Sequence, residues 1–351
     1  FENTKHSMSS LPKMQYTNLG NTGCRVSRIC MGCMSFGDPN WVPFVVEEKE
    51  ALPMIKQAYD AGINFFDTAN MYSHGASEKI LGNAIEKYNL PRGKIVVATK
   101  LFFVCDEKHM DLHSALKTQD YLEQEVGIVN GNGLSRKHIF DSVDASLRRL
   151  KLDYIDLLQI HRFDNNTPVE ETMEALNDLV RIGKVRYIGA SSMWAWQFAK
   201  MNAVAEKNGW AKFVTMQNHY NLLHREEERE MIPYCKDAKI KTLPWSPLAG
   251  GKILGKGRDT PRENRQHKEY SEEEEAIIDR VAELANNKGV SAAEIGLAWV
   301  LSKDVVSSPI IGPRKMNHLE DAIKALDVKL SDEDIKSLEE PYKPRVPVGH
   351  Q

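Results

Sequence analysis

The chain has 351 residues, enough for one large α/β domain or two ordinary ones, and its 42% hydrophobic and 27% charged content is that of a globular protein. A formal net charge of −3 gives no general attraction for nucleic acid or an anionic membrane, and no apolar run approaches the roughly 20 residues that span a bilayer. Five cysteines are too sparse for a disulfide framework and point to reduced thiols in the cytoplasm. Cys30-Met-Gly-Cys33 has the Cys-x-x-Cys spacing, but it flanks a strand-like run rather than opening a helix, which argues against a redox pair. Phe1 to Ser7 lacks the apolar core of a signal peptide, and Met8 reads as a natural start. Residues 1–13 are therefore expected to be a disordered or vector-derived segment, and residues 14–351 a single domain.

Residues 15–28 read as a hairpin around Gly20-Asn-Thr-Gly23. Strand and helix then alternate. Ile29–Gly32 precedes a helix over Glu47–Ala61 closed by Gly62, and Phe65–Asp67 precedes one over Ser77–Lys87. Ile95–Lys100 is followed, after a long gap, by Ser135–Leu150. Asp156–His161 leads to Pro168–Ile182, whose start, Thr167-Pro-Val-Glu170, predicts a capping box with proline at the first helical position. Val185–Ser191 pairs with Trp194–Lys207, Phe213–Gln217 with Glu226–Ala238, and the strands Ile240–Trp245 and Ser308–Ile311 complete the set, the last followed by a helix through Asn317–Leu326. Two extra helices, Ser271–Asn287 and Ser291–Leu301, open with Ser-x-x-Glu boxes, and the acidic run Glu272–Glu275 reads as a solvated helix start. Eight strand–helix pairs without an antiparallel run predict a (β/α)8 TIM barrel with an N-terminal β-hairpin and extra helices. A doubly wound sheet is the alternative, but no Gly-x-Gly-x-x-Gly opens any of these helices.

Three of the apolar runs end in polar groups: Phe65-Phe-Asp67, Ile95-Val-Val-Ala-Thr-Lys100 and Ile155-Asp-Leu-Leu-Gln-Ile-His161, with Tyr72 in the loop after Asp67. A buried strand seldom finishes on a bare charge unless something pairs with it. In a barrel the C-terminal strand ends face one shared pocket, so the four side chains converge there. A free tyrosine titrates near pH ~10, and an adjacent ammonium is expected to lower that value, so that Tyr72 can donate and accept a proton. Asp67 would keep Lys100 charged, and His161 would hydrogen-bond a carbonyl oxygen. Taken singly, Asp67 and Lys100 could be an interior ion pair and His161 a satisfied core histidine; the set of four is equipment for reducing a carbonyl.

Gly62-Ile-Asn-Phe-Phe-Asp67-Thr-Ala-Asn-Met-Tyr72, Val97-Ala-Thr-Lys100, Leu152-Asp-Tyr-Ile-Asp-Leu-Leu-Gln-Ile-His161, Ile188-Gly-Ala-Ser-Ser192 and Pro244-Trp-Ser-Pro-Leu248 together resemble the aldo-keto reductase superfamily from about Met14 to Leu338, most nearly its fungal aryl-alcohol dehydrogenase-like and aldehyde reductase members. The resemblance implies a catalytic tetrad of Asp67, Tyr72, Lys100 and His161 with tyrosine as general acid, and NADPH bound across the strand ends. It implies that Ser191, Ser192 and Gln217 hold the nicotinamide carboxamide, that Trp245 stacks on the ring, and that Ser246, Leu248 and Gly250 lie along the pyrophosphate. Many relatives have asparagine where Ser192 stands. Gly312, Arg314 and His318 match a site for the adenosine 2′-phosphate, with Asp321 near the adenine; a cationic fork at a helix start suits phosphate. Arg314 and Lys315 could otherwise form a solvated cationic patch. Met34, Phe36, Trp41, the 101–134 loop and the Trp194/Trp196 pair are expected to wall the substrate pocket.

The expected partner is a small-molecule carbonyl compound, with no nucleic acid, membrane or metal. Two other classes fit the tetrad: an NADP-binding regulatory subunit like the potassium-channel β-subunits, and a barrel lyase with Lys100 as Schiff-base lysine. Gly250-Gly-Lys-Ile-Leu-Gly-Lys256 has phosphate-loop spacing, but Gly257 stands where a hydroxyl residue would hold magnesium. His109-Met-Asp-Leu-His113 has metal-like spacing without a helix pattern or a glutamate after its first histidine.

Overall fold

The computed structural model describes residues 11–106, 119–255 and 270–350. Most of the expected N-terminal segment 1–13, the His109/His113 pair and Lys256 with the residues after it therefore lie outside the described residues. Leu11 already packs on the core and Met14 is buried in it.

The hairpin forms as expected. Strand β1 (Tyr16–Asn18) runs antiparallel to β2 (Arg25–Ser27) with Tyr16 opposite Ser27. Eight parallel strands follow: β3 (Cys30–Gly32), β4 (Phe65–Asp67), β5 (Val96–Leu101), β6 (Ile155–Ile160), β7 (Val185–Ser191), β8 (Phe213–Gln217), β9 (Lys241–Thr242) and β10 (Ile310–Ile311). Their order is β10-β3-β4-β5-β6-β7-β8-β9, and the parallel bridges Thr242↔Val306 and Trp245↔Ile310 join the last strand to the first. This is a (β/α)8 barrel. The two strands at the seam are shorter than the apolar runs predict, because Pro244 and Pro309 have no N–H to give to the ladder.

Alternation along the strands separates two cores. Cys30, Phe65, Val96, Ala98 and Leu157 point into the barrel, where Leu19 and Val26 of the hairpin join them. Met31, Phe66, Val97 and Leu158 point outward to the helices. The hairpin thus plugs the end where the strands begin and leaves the strand C-termini open for chemistry.

The helices on the outer face are α1 (Glu48–Asp60), α2 (Ala76–Lys87), α3 (Arg136–Leu150), α4 (Val169–Arg181), α5 (Ala195–Asn208), α6 (Met231–Asp237), α7 (Glu272–Lys288), α8 (Ala292–Leu301), α9 (Met316–Lys324) and α10 (Asp332–Glu339). The boxes at Ser271/Glu274 and Ser291/Glu294 close reciprocally as expected. Three expectations are corrected. Thr167 does not cap α4: its hydroxyl donates to Asp164 Oδ2 at 2.7 Å, and Pro168 becomes the residue before the helix. The predicted Glu226–Ala238 helix breaks into a 3-10 turn, Glu226–Glu228, and α6, which starts at Met231 so that Pro233 falls in its first turn, where the missing N–H has no intrahelical acceptor. The acidic start of α7 is not merely solvated: Glu274 is buried against Arg345 at 2.7 Å, and Glu273 meets Lys343 at 2.5 Å, strapping down the C-terminal tail. No helix among the described residues is long and apolar enough to cross a membrane.

Helices α2 and α3 touch through Gly82, where a Cβ would stand 2.7 Å from the carbonyl oxygens of Arg149 and Leu150. Alanine would gain about 1 kcal/mol of helix propensity but force two backbones apart, at about 1–3 kcal/mol. Gly82→Ala is expected to lower the thermal unfolding midpoint; an unchanged or raised midpoint would show that the two helices part without cost.

Candidate active site

Continuing the inward alternation of β4, β5 and β6 by one step replaces the apolar layer with a polar one. After Phe65 comes Asp67, after Ala98 comes Lys100, and after Leu157 come Gln159 and then His161. Lys100 and Gln159 stand side by side in the ladder, and Gly189 beside Gln159 leaves room that a Cβ would fill, at 2.5 Å from Thr215 Oγ1.

Lys100 is fully buried, and its ammonium donates to Asp67 Oδ2 at 2.5 Å, to the Thr68 carbonyl at 2.9 Å and to the Tyr72 hydroxyl at 3.2 Å. The other Asp67 oxygen accepts from Gln159 and from Gln217, both at 3.0 Å, and Gln217 Nε2 lies equally close to Gln159 Oε1. The Tyr72 ring lies edge-on to His161, with centroids 5.8 Å apart. His161 follows directly after β6, and its Nδ1 is buried with no hydrogen-bond partner among the described residues.

Burial acts on all of these groups and their neighbours decide the outcome. Desolvation opposes the charged form of Lys100, but Asp67 and Tyr72 more than offset it and raise its pKa. For Tyr72 the expected lowering does not result: burial raises the phenol above 10.0, with Lys100 the largest opposing influence. Desolvation, with Arg162 and Lys100 adding repulsion, holds His161 well below 6.5 and hence neutral. The Cys30 and Cys33 thiols are free, buried and pushed upward, which does not suit a redox pair.

A cavity of about 620 Å³ opens over this layer, within the range of small-molecule and cofactor sites. Asp67, Tyr72, His161, Ser191, Gln217, Trp245, Ser246, Leu248, Gly250, Gly312, Arg314, His318 and Asp321 all line it, as do Met34 and Trp41. Ser192 does not: its hydroxyl accepts from the indole N–H of Trp245 at 3.1 Å, and it stands at a positive φ of 42°. Phe36 is fully buried in the core, away from the cavity. Trp194 and Trp196 also lie off the wall, the first against His350 and the second against Phe163. From the 101–134 loop, Phe103 reaches the cavity, packed edge-on to His161 at 5.3 Å.

Sequence reasoning missed four contributors. Gln159 supports Asp67; a glutamine two residues before His161 in an apolar strand was the available signal, since both share one face. His219 stacks on Trp245 at 4.1 Å and 7°. Phe103 and Arg162 carry no local pattern. Among the described residues no cluster could hold a metal ion.

The cavity also suits a dinucleotide. Burial lowers the pKa of the Arg314 guanidinium, which has no carboxylate partner among the described residues, and the Arg314 backbone N–H donates to His318 Nδ1 at 3.4 Å at the start of α9. Ser246, Ala249, Gly250 and Gly251 all take positive φ, which turns the backbone tightly between Trp245 and the Ala249–Leu254 turn along the cavity wall.

Comparison with known proteins agrees with this geometry. The family model described as "Aldo/keto reductase family" matches residues 28–343. A versiconal hemiacetal acetate reductase of Aspergillus parasiticus is 48% identical over 95% of this chain and 98% of its own. A putative aryl-alcohol dehydrogenase of Schizosaccharomyces pombe is 47% identical over 97% and 99%, and one of Saccharomyces cerevisiae 44% identical over 95% and 98%. Proteins of this family generally use nicotinamide cofactors on small carbonyl substrates. The chain is an oxidoreductase and belongs to the aldo-keto reductase family.

Proposed function

We propose that this chain reduces aldehydes, aromatic or medium-sized, and some ketones to alcohols with NADPH, using Tyr72 as general acid. The observation that carries the reading is the linked chain Asp67–Lys100–Tyr72, whose buried lysine joins two residues on the wall of a cavity also lined by Trp245 and Arg314. The names of the relatives, an aryl-alcohol dehydrogenase and a hemiacetal acetate reductase, support a carbonyl–alcohol couple. Arg314 and His318 would meet the 2′-phosphate, which favours NADP over NAD, while Ser191, Gln217 and Trp245 would hold the nicotinamide. When bound, that cofactor supplies the hydride.

The side chains handle the oxygen. The phenol of Tyr72 reaches the reaction protonated, because burial has raised its pKa, and gives its proton to the carbonyl oxygen as negative charge develops there. The phenolate left behind is stabilised by Lys100, whose own charge is secured by Asp67. Neutral His161 donates a hydrogen bond to the same oxygen. Ser192 acts one step back, through the indole of Trp245. A Schiff-base role for Lys100 conflicts with the pair that raises its pKa, since the nucleophile must be the free amine.

Mixing protein, NADPH and a panel of aromatic aldehydes tests the reading by loss of the cofactor's near-ultraviolet absorbance. Tight NADPH binding with no turnover across the panel would overturn it and favour a regulatory subunit. Tyr72→Phe is expected to lose about 10²–10⁴-fold in kcat with NADPH binding intact; full activity would rule out the general-acid role. The pH profile has a stated sign. A depressed histidine stays neutral as pH falls through 6.5, so reduction shows no His161 ionisation near that value. A raised phenol keeps its proton up to 10.0 and beyond, so any alkaline limb lies above that value. An acidic limb near 6.5 that His161→Gln removes would contradict the assignment.

A further inference from the structure

Most of the buried or half-buried arginines among the described residues have a partner, Arg314 in the cofactor-side wall being an exception. Arg92 pairs with Asp156, Arg149 with Glu78 and Arg225 with Glu228 and Glu339. Arg28, which has no ion-pair partner within contact among the described residues, donates to the carbonyls of Leu301, Val306 and Ser307. Arg162 differs. Its Nη1 donates to the His161 carbonyl at 2.6 Å and its guanidinium lies 5.6 Å from the centre of the Phe103 ring, but no carboxylate pairs with it among the described residues. It lines the cavity beside Tyr72, His161 and Phe103. The chain at Gly349 runs so close that an added Cβ would lie 3.4 Å from Nη2, so the tail fixes one edge of the guanidinium. Burial lowers its pKa only to about 10, so at neutral pH it remains a cation facing the cavity.

An unpaired guanidinium in a partly desolvated wall is costly, and an incoming carboxylate that accepts two parallel N–H bonds offsets that cost. Cofactor phosphate is the less apt partner. The residues suited to it, Ser246–Gly250 and Gly312–His318, follow β9 and β10, whereas Arg162 follows β6 with the groups that meet the carbonyl. We propose that Arg162 is a substrate anchor, and that the site takes carbonyl compounds carrying a carboxylate, docked on this guanidinium while the carbonyl lies between Tyr72 and His161. Phe103, whose ring faces both the guanidinium and the imidazole, suits an aromatic body between the two polar ends. This inference rests on the reductase reading above and narrows its substrate class.

The test compares meta- and para-formylbenzoate with their methyl esters, which keep the aldehyde and ring but lose the charge. Wild-type protein is expected to prefer at least one acid over its ester in kcat/KM. Arg162→Gln is expected to lose about tenfold to a hundredfold more on that acid than on its ester, mainly in KM, with NADPH affinity nearly unchanged. Arg162→Lys should restore part of the loss. Equal losses on acid and ester would overturn the proposal and leave Arg162 a support for His161; so would a wild-type protein indifferent to the charge. Reduction of the esters without preference for the acids defeats this inference alone, whereas failure to reduce any member of the panel defeats the reductase reading itself.

Discussion

A lysine with no exposed surface controls this structure. An ammonium leaves water at tolerable cost only if acceptors receive its three N–H bonds, and Lys100 finds the carboxylate of Asp67, the backbone carbonyl of Thr68 and the hydroxyl of Tyr72. That requirement fixes much around it. Asp67 must end β4 on the inner face, Gln159 and Gln217 must occupy its remaining oxygen, and the loop after β4 must return Tyr72 to the same spot. The interior of the barrel changes from apolar to polar within one step of the alternation. The hairpin seals the apolar end and the cavity opens at the polar one, so structural and chemical demands occupy opposite ends of the same strands.

Most of the architecture was legible because the two periodicities are strong. Period-two apolar runs alternating with capped amphipathic helices predict the eight parallel strands, and the Ser-x-x-Glu boxes predict two helix starts to the residue. The misses have local causes. Prolines shortened β9 and β10 and split the Glu226–Ala238 helix, and a neighbouring aspartate took the Thr167 hydroxyl that would have capped α4. Each is a competition between a chain-local signal and a partner that only folding brings near.

The candidate site divides in the same way. Asp67, Lys100 and His161 could be read from charged or polar residues closing apolar runs, and Tyr72 from the loop that follows. Gln159 was within reach by alternation. Ser192 was placed by the family resemblance and Phe36 by its position after β3, but a positive φ turns Ser192 toward Trp245, and the chain after β3 sends Phe36 into the core. Arg162 and Phe103 had no signature, since their meaning depends on the loop and tail that surround them. The direction of the Tyr72 shift was also beyond the sequence: proximity to an ammonium was foreseeable, but the depth of burial that outweighs it was not.

The account depends on Lys100 serving as the charged link between Asp67 and Tyr72. Replacing it with methionine, which nearly matches its length without the charge, and measuring single-turnover aldehyde reduction with NADPH saturating is the most direct check. A fall of about 10²–10⁴-fold in the rate, with NADPH affinity within a few-fold of the parent, is the predicted result. A Lys100→Met protein that binds NADPH and reduces aldehydes at the parent rate would contradict it.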